Sequence, residues 1–270
     1  MDELSDPVRL RDLYDAQLRA WVPDRLPAGV SVERDGPVVR VTGLGEEGFV
    51  TSVSLAGLTP AEVDALIARQ RDHYAGLGLA VEWKLYGHDE PADLGDRLRA
   101  AGFVPRDQET VVIGAAEPLA QEKPPLPEGI TLREVTARAD LELIDVMESA
   151  VWGEERSDHA PFLEQELATD PTGTTVVVAQ TGDGEVVCAG WVRYIHGTAF
   201  ATLWGGSTLP AWRGRGLYRA LVAYRAHLAV QRGHRLLQVD ASDDSRPILQ
   251  RSGFLAVTTT TPYVCTPPAR

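Results

Sequence analysis

Between residues 210 and 221 the sequence reads Pro210-Ala211-Trp212-Arg213-Gly214-Arg215-Gly216-Leu217-Tyr218-Arg219-Ala220-Leu221, and these residue types are the ones best suited to chemistry. Gly214 and Gly216 let the backbone turn tightly and aim successive N–H groups outward. Apolar residues at Leu217, Leu221, Val222, Leu228 and Val230 then predict a helix over Leu217 to Arg232. The positive end of that helix falls on the same amides, which together suit a pyrophosphate. Arg213 and Arg215 add charge-assisted donors at the rim. A nucleoside-triphosphatase loop is excluded by the lack of Gly-Lys-Ser/Thr, and the dinucleotide fingerprint by its missing third glycine. A plain glycine-rich turn is the alternative that the loop by itself leaves open.

Other chemistries find less support. Cys188 and Cys265 are the only cysteines, and each sits in a strand-like run. Their spacing suggests neither zinc nor a disulfide framework, so they read as small buried hydrophobes. No metal-ligand cluster is visible. The net charge of −13 and pI near 4.9 argue against a nucleic-acid partner, which needs a basic stripe. An acidic field favours a cationic substrate by steering, although solubility alone would explain it equally well. No window approaches the ~18 consecutive apolar residues of a membrane span. Met1-Asp2-Glu3-Leu4-Ser5 lacks the basic and apolar regions of a signal peptide, so a cytoplasmic location is expected.

The elements that must position the loop follow from periodicity. Ile130 to Val135 alternates like a strand, and Ala139 to Trp152 carries apolar residues at helical spacing. Asp158 to Thr169 is a second, shorter helix. Thr174 to Gln180 and Val186 to Ile195 flank the turn Gly182-Asp183-Gly184 as a hairpin, and Ala199 to Thr208 continues as a further strand. After the loop and its helix come the strand Leu236 to Val239, a short helix over Ser245 to Ser252, and a last strand over Leu255 to Val264. This order predicts an α/β layered domain with helices on both faces of a mixed sheet.

Upstream, Lys123-Pro124-Pro125-Leu126-Pro127 marks a break. Closely spaced prolines disfavour helix and interior strand, so residues 118–128 read as a semi-rigid linker between 1–117 and 129–270. The first part echoes the second. Leu98-Arg99-Ala100-Ala101-Gly102-Phe103-Val104 lies over Leu249-Gln250-Arg251-Ser252-Gly253-Phe254-Leu255, and each precedes a β-rich run. A helix over Pro60 to Ala75 and a strand over Ala80 to Leu85 match the pair that follows the glycine loop. The pattern reads as a duplicated fold. Two unrelated α/β segments that both end in Gly-Phe are the alternative.

With these features in place, residues 129–265 resemble the GNAT superfamily of N-acetyltransferases. Its phosphate motif, Arg/Gln-x-x-Gly-x-Gly/Ala, is met by Arg213-Gly214-Arg215-Gly216-Leu217-Tyr218 at all but the last position. Tyr218 replaces the usual small residue and either crowds the pyrophosphate or points away from it. The element order and the closing Gly253-Phe254 belong to the same resemblance. It implies two GNAT-like domains, each a mixed, mostly antiparallel sheet with helices on both faces. In the first, Leu55-Ala56-Gly57-Leu58-Thr59-Pro60 has one glycine and no arginine where the phosphate loop should lie, which makes that copy degenerate.

The resemblance further implies acetyl-CoA as co-substrate and a small-molecule amine as acceptor, with direct transfer between them. The strand ending at Ser207-Thr208-Leu209 should splay from its neighbour and pair with the pantetheine arm. A backbone N–H near Leu209 would stabilise the oxyanion. Gly214 to Tyr218 would hold the pyrophosphate. Ser242 would contact the coenzyme or simply cap the closing helix. Two departures bear on catalysis. Leu249 stands where a tyrosine often protonates the departing thiolate, and Trp204-Gly205-Gly206 stand where a carboxylate base is frequent. Asp240 and Tyr263 are the remaining candidates for proton transfer, and His196 falls in a turn. The missing acid and base also keep open a non-catalytic acyl-CoA-binding sensor or scaffold. A homodimer is likewise left open.

Overall fold

The computed structural model describes residues 6–19, 21–45, 47–153 and 159–267. The first elements in chain order are α1 (Pro7–Gln17), β1 (Ser31–Asp35), β2 (Val38–Thr42), β3 (Glu47–Ser52), α2 (Pro60–Leu77), β4 (Ala80–Tyr86) and α3 (Leu94–Ala100). Then come β5 (Val104–Pro105), β6 (Glu109–Ala115), α4 (Ala116–Gln121), β7 (Thr131–Val135), α5 (Arg138–Trp152) and α6 (His159–Thr169). The remainder is β8 (Thr174–Gln180), β9 (Val186–Tyr194), β10 (Phe200–Thr208), α7 (Leu217–Gln231), β11 (Leu236–Ala241), α8 (Arg246–Arg251) and β12 (Leu255–Cys265). A single 3-10 turn, Pro210–Trp212, separates β10 from the glycine loop.

Two compact units result, and neither is one continuous stretch of chain. The first comprises 1–111, 240–246 and 256–270; the second comprises 112–239 and 247–255. In the second unit β7, β8, β9 and β10 run antiparallel in that order, and β11 joins β10 in parallel. Side chains alternate across β9, because strand residues point to opposite faces in turn. Ala189 and Trp191 enter an apolar cluster with Leu141, Ile144 and Met147 of α5 and Leu163 of α6. Gly190, between them, faces the other way, where a Cβ would lie 2.8 Å from the Arg225 guanidinium of α7. Helices therefore cover both faces.

The first unit repeats the plan. β1, β2, β3 and β4 are joined by β12, with only the β3/β4 pair parallel. Val81 and Trp83 of β4 bury against Val63, Leu66, Ile67 and Tyr74 of α2 and Leu94 and Leu98 of α3. On the opposite face Tyr86 meets Tyr14 of α1, hydroxyl to hydroxyl at 3.0 Å. Each unit is thus the mixed, mostly antiparallel sheet, helix-covered on both faces, that the sequence implied.

Two local readings change. The stretch taken as linker begins as helix: α4 includes Pro118 in its first turn, where a missing N–H has no intrahelical partner to lose. The last strand, expected within 129–270, pairs with β4 from Cys265↔Val81 to Thr260↔Tyr86 and so belongs to the first unit. Of the expected helix Asp158 to Thr169, α6 starts at His159 and Asp158 lies outside the described residues. Among the described residues no helix is long and apolar enough to cross a membrane.

Candidate active site

The glycine loop closes in the geometry its sequence demands. Gly214 and Gly216 have φ of +74° and +84°, the left-handed region that a side chain resists. Gly216 is the N-cap of α7, no side chain caps that helix, and its first turn carries no acidic residue. The opening amides therefore retain their donor capacity at the positive end of a 15-residue helix. Space is left for an anion. A Cβ on Gly214 would meet nothing within 4 Å, and one on Gly216 only the Pro125 carbonyl at 3.7 Å. Leu217 is buried and anchors the turn. Arg213 is exposed and its Nε donates to the Thr208 carbonyl at 3.1 Å. The Arg215 guanidinium stacks over Trp212 at 4.8 Å.

Tyr218, the departure from the motif, is absorbed by the neighbouring strand. A Cβ on Gly206 would lie 2.7 Å from Tyr218 Cε2, so the ring rests on bare glycine backbone. It reaches back along β10 and not forward over the loop. Gly205 and Gly206 also form a bulge, where the β9/β10 register shifts between Trp204 and Ser207. Below the bulge, the fully buried Arg225 donates from Nη1 to the carbonyls of Trp191 and Trp204, both at 3.1 Å. Burial pulls its guanidinium below the usual arginine range, with Tyr218 and Cys188 opposing.

The strand before the loop opens as expected. β10 and β11 pair at Phe200↔Leu236, Ala201↔Leu237 and Thr202↔Gln238, and the pairing ends there although β10 runs to Thr208. One edge of β10 beyond Thr202 is thus available to another extended chain. The side chains of Ser207 and Thr208 are turned to the protein: Ser207 Oγ donates to Glu148 Oε1 at 3.1 Å, and Thr208 Oγ1 to Cys188 Sγ at 3.1 Å. The amide of Leu209 must be corrected. It donates to the Val187 carbonyl at 3.0 Å, because the β9 ladder continues past Thr208↔Cys188, so it is not the oxyanion donor.

The first unit's counterpart differs at each of these points. β3 and β4 pair over five residues, from Glu47↔Ala80 to Thr51↔Lys84, with no opening. Helix α2 carries a capping box: Thr59 N–H donates to Glu62 Oε2 at 2.7 Å and Glu62 N–H to Thr59 Oγ1 at 3.4 Å. Its end amides are thereby engaged and a carboxylate stands where an anion would arrive.

Of the proton-transfer candidates, Tyr263 is packed into the first unit's apolar core with Trp83 and Leu98, its ring under the Arg99 guanidinium at 5.4 Å. The last strand, which carries it, pairs with β4. Asp240 is ion-paired with Lys84. Burial alone would lower the Lys84 ammonium, yet Asp240 and Tyr86 hold it above its ordinary range. Ser242 accepts the Ser245 N–H at 3.4 Å, the turn-capping alternative. Leu249 is fully buried and supplies no acid. His196 lies 3.2 Å from Asp170 Oδ2.

A cluster the motifs did not single out lies in the second unit. Glu148 and Asp145, three apart on α5, both meet His159 at the start of α6, at 2.9 and 3.7 Å from its Nδ1. Helical spacing signals that the two carboxylates share a face. Nothing in the sequence says that the face is turned inward to β10. Among the described residues no group is arranged to hold a metal ion.

Fold and loop together define a two-unit α/β protein in which a helix start without a side-chain cap stands beside a parting strand pair. Residues 141–254 match the Acetyltransferase (GNAT) family, so the chain carries a GNAT-family domain. That match supports acyl-CoA-dependent acetyl transfer and hence a transferase. No curated protein matches the chain. Among solved structures, a GCN5-related N-acetyltransferase from Kribbella flavida is similar at 17% identity and TM-score 0.69, covering 99% of this chain and 97% of that one. A tandem GNAT protein from the clavulanic acid biosynthesis pathway gives 15% and 0.65, covering 91% and 86%. A functionally unknown conserved protein from Staphylococcus epidermidis gives 11% and 0.64, covering 90% and 95%. At these identities the likeness is one of fold.

Proposed function

We propose that the chain transfers an acetyl group directly from acetyl-CoA to the amine of a small molecule. The observation that carries this is the uncapped, glycine-entered start of α7 set beside the unpaired edge of β10. A pyrophosphate on the amides of 214–218 would gain main-chain donors, the helix dipole and the Arg213 and Arg215 guanidiniums. The pantetheine arm would continue as an extended strand along β10 beyond Thr202. That path ends with the thioester near the bulge, where the amine attacks. The thiol needs little help in leaving, since thiols of pKa about 8.5 tolerate the thiolate near neutrality. The negative net charge suits approach of a protonated amine.

The test is acetyl-CoA binding followed by turnover. Wild type should bind acetyl-CoA in a calorimetric titration, and Gly216→Glu should abolish binding, because it places a carboxylate at the helix end and strains a φ of +84°. R213A/R215A, which leaves the backbone alone, should weaken affinity by roughly tenfold or more, given two charge-assisted contacts. Thiol release stimulated by amines then separates transferase from sensor. Coenzyme binding without stimulated release by any amine favours the non-catalytic reading, and no binding at millimolar acetyl-CoA rejects both.

A further inference from the structure

A hydroxyl, an imidazole and a carboxylate stand in line in the first unit. Thr258 Oγ1 of β12 lies 2.8 Å from His88 Nδ1, and the other ring nitrogen, Nε2, lies 2.7 Å from Asp15 Oδ2 of α1. A carboxylate only accepts, so Nε2 carries the proton, and the neutral ring turns the Nδ1 lone pair to the hydroxyl. The Thr259 carbonyl, also within reach of Oγ1, is farther away at 3.4 Å and makes the weaker acceptor. Three elements are tied together to hold this line. Gly87 N–H donates to the Thr259 carbonyl at 2.9 Å, and Tyr86 N–H to Asp89 Oδ2 at 2.9 Å, which sets the turn bearing His88. Arg19, four residues past Asp15, pairs with Asp89 Oδ1 at 2.6 Å and binds that turn to the end of α1. The imidazole side chain is 21% exposed and that of Asp15 26%, so the line is shielded yet reachable. His88 and Thr258 line an open cleft of about 480 Å³ together with Thr110 and Arg246. The Arg246 guanidinium is held there, donating to Thr110 Oγ1 at 3.3 Å and pairing with Asp243 at 3.0 Å.

We propose that Thr258, His88 and Asp15 form a second reactive site, nucleophile, base and orienter in that order, which hydrolyses short-chain carboxylic esters. It shares no residue with the glycine loop and stands independently of the acetyl-CoA reading. In the first step His88 Nδ1 takes the hydroxyl proton as Thr258 Oγ1 attacks the ester carbonyl carbon. Negative charge develops on the carbonyl oxygen, and Arg246 is the cation lining the cleft to meet it. The C–O bond to the alcohol breaks, Nδ1 gives its proton to the departing alkoxide, and the acyl group stays on Oγ1. Water then yields a proton to Nδ1 while its oxygen attacks the acyl carbon. The bond from that carbon to Oγ1 breaks, Oγ1 recovers the proton, and the carboxylic acid leaves. Asp15 is a positioning residue and acts through the imidazole. The cleft is open, and Ala256 and Val257 supply its apolar wall, which suits a short acyl chain.

The experiment measures nitrophenolate release from p-nitrophenyl acetate by the full chain, with no coenzyme present, alongside the melting temperature of each variant. Wild type should release nitrophenolate faster than buffer does. Acid quenching should trap an acetyl group on Thr258, located by fragmentation of the tryptic peptide 252–270. T258V, which keeps the β-branched shape, should lose about 10²-fold or more of the rate, and T258S should retain it. D15N should lower kcat by about 10²-fold with KM within about twofold, a split that a merely structural Asp15 would not produce. R246A should lower kcat by about tenfold or more. A rate no higher than buffer, a rate that T258V leaves unchanged, or an acetyl group found on a lysine or cysteine instead overturns the site. Should T258V fail to fold, the trapped position in wild type and the rate of T258S decide in its place.

Discussion

Gly205 holds together features that look separate in sequence. Its φ is +63°, and a Cβ there would strike the six-membered ring of Trp191. The glycine thus permits the bulge, and the bulge lets a buried tryptophan lie flush against β10. G205A meets both penalties, since neither the indole nor the strand backbone can yield cheaply. It should destabilise the protein by about 2–4 kcal/mol, read from the urea midpoint, with no change in slope. Gly182, in an open turn with nothing within 4 Å, is the control, where alanine should be near neutral. Gly205 and Gly206 first registered as the lack of a carboxylate, because a sequence shows what a position lacks more readily than what packs against it. Gly206 likewise explains Tyr218: the motif's small residue has moved from the helix to the strand facing it.

At the scale of elements, what could be read depended on whether the signal was local. The loop from Arg213 to Gly216, helix α7 and the β8/β9 hairpin announce themselves by glycine positions and period. The opening of β10 from β11 was expected from the family resemblance. By contrast β1, Ser31–Asp35, is mostly exposed and charged, and α1 buries only Leu10 and Tyr14, so neither carries a strong apolar period. β12 was found as a strand, but its partner was not, because pairing with β4 is a long-range choice that no local residue encodes. That choice moved Tyr263 into a core. The same first-unit sheet gathers Glu82, Lys84, Glu109 and Asp240 as a half-buried polar group. Burial first, then Asp240 and Glu82, push Glu109 up to about 7, with Lys84 opposing. An unfolded glutamate titrates near 4.3, so between about 4.3 and 7 the folded form holds more proton than the unfolded one. Its contribution to stability is therefore fully present below that window and is lost as pH rises through 7. Urea midpoints of wild type should fall relative to E109Q between pH 4.5 and 7.5. Parallel curves would show that Glu109 titrates as an ordinary surface acid.

The whole chain contains two copies of one plan, and the decisive differences between them lie at equivalent places. In the second unit a glycine cap leaves the α7 amides open and the parallel strands part after three pairs. In the first, Thr59 and Glu62 close the α2 end and the parallel strands stay together for five. Both conditions must be met to seat a coenzyme, because the diphosphate needs unsatisfied donors and the arm needs an unpaired strand edge. A carboxylate at the helix start adds repulsion to the loss of donors. Of the two units, the second alone meets both conditions. The chain should bind one acetyl-CoA: calorimetric titration should give a stoichiometry near one per chain, and R213A/R215A should remove that single event. A second binding event surviving in the double variant would mean that the closed α2 terminus can open. T59A/E62A, which strips the capping box, is the direct check on what keeps it shut. Because β3 and β4 would still be fully paired, the stripped variant should lose about 1 kcal/mol or more of stability without gaining a coenzyme site.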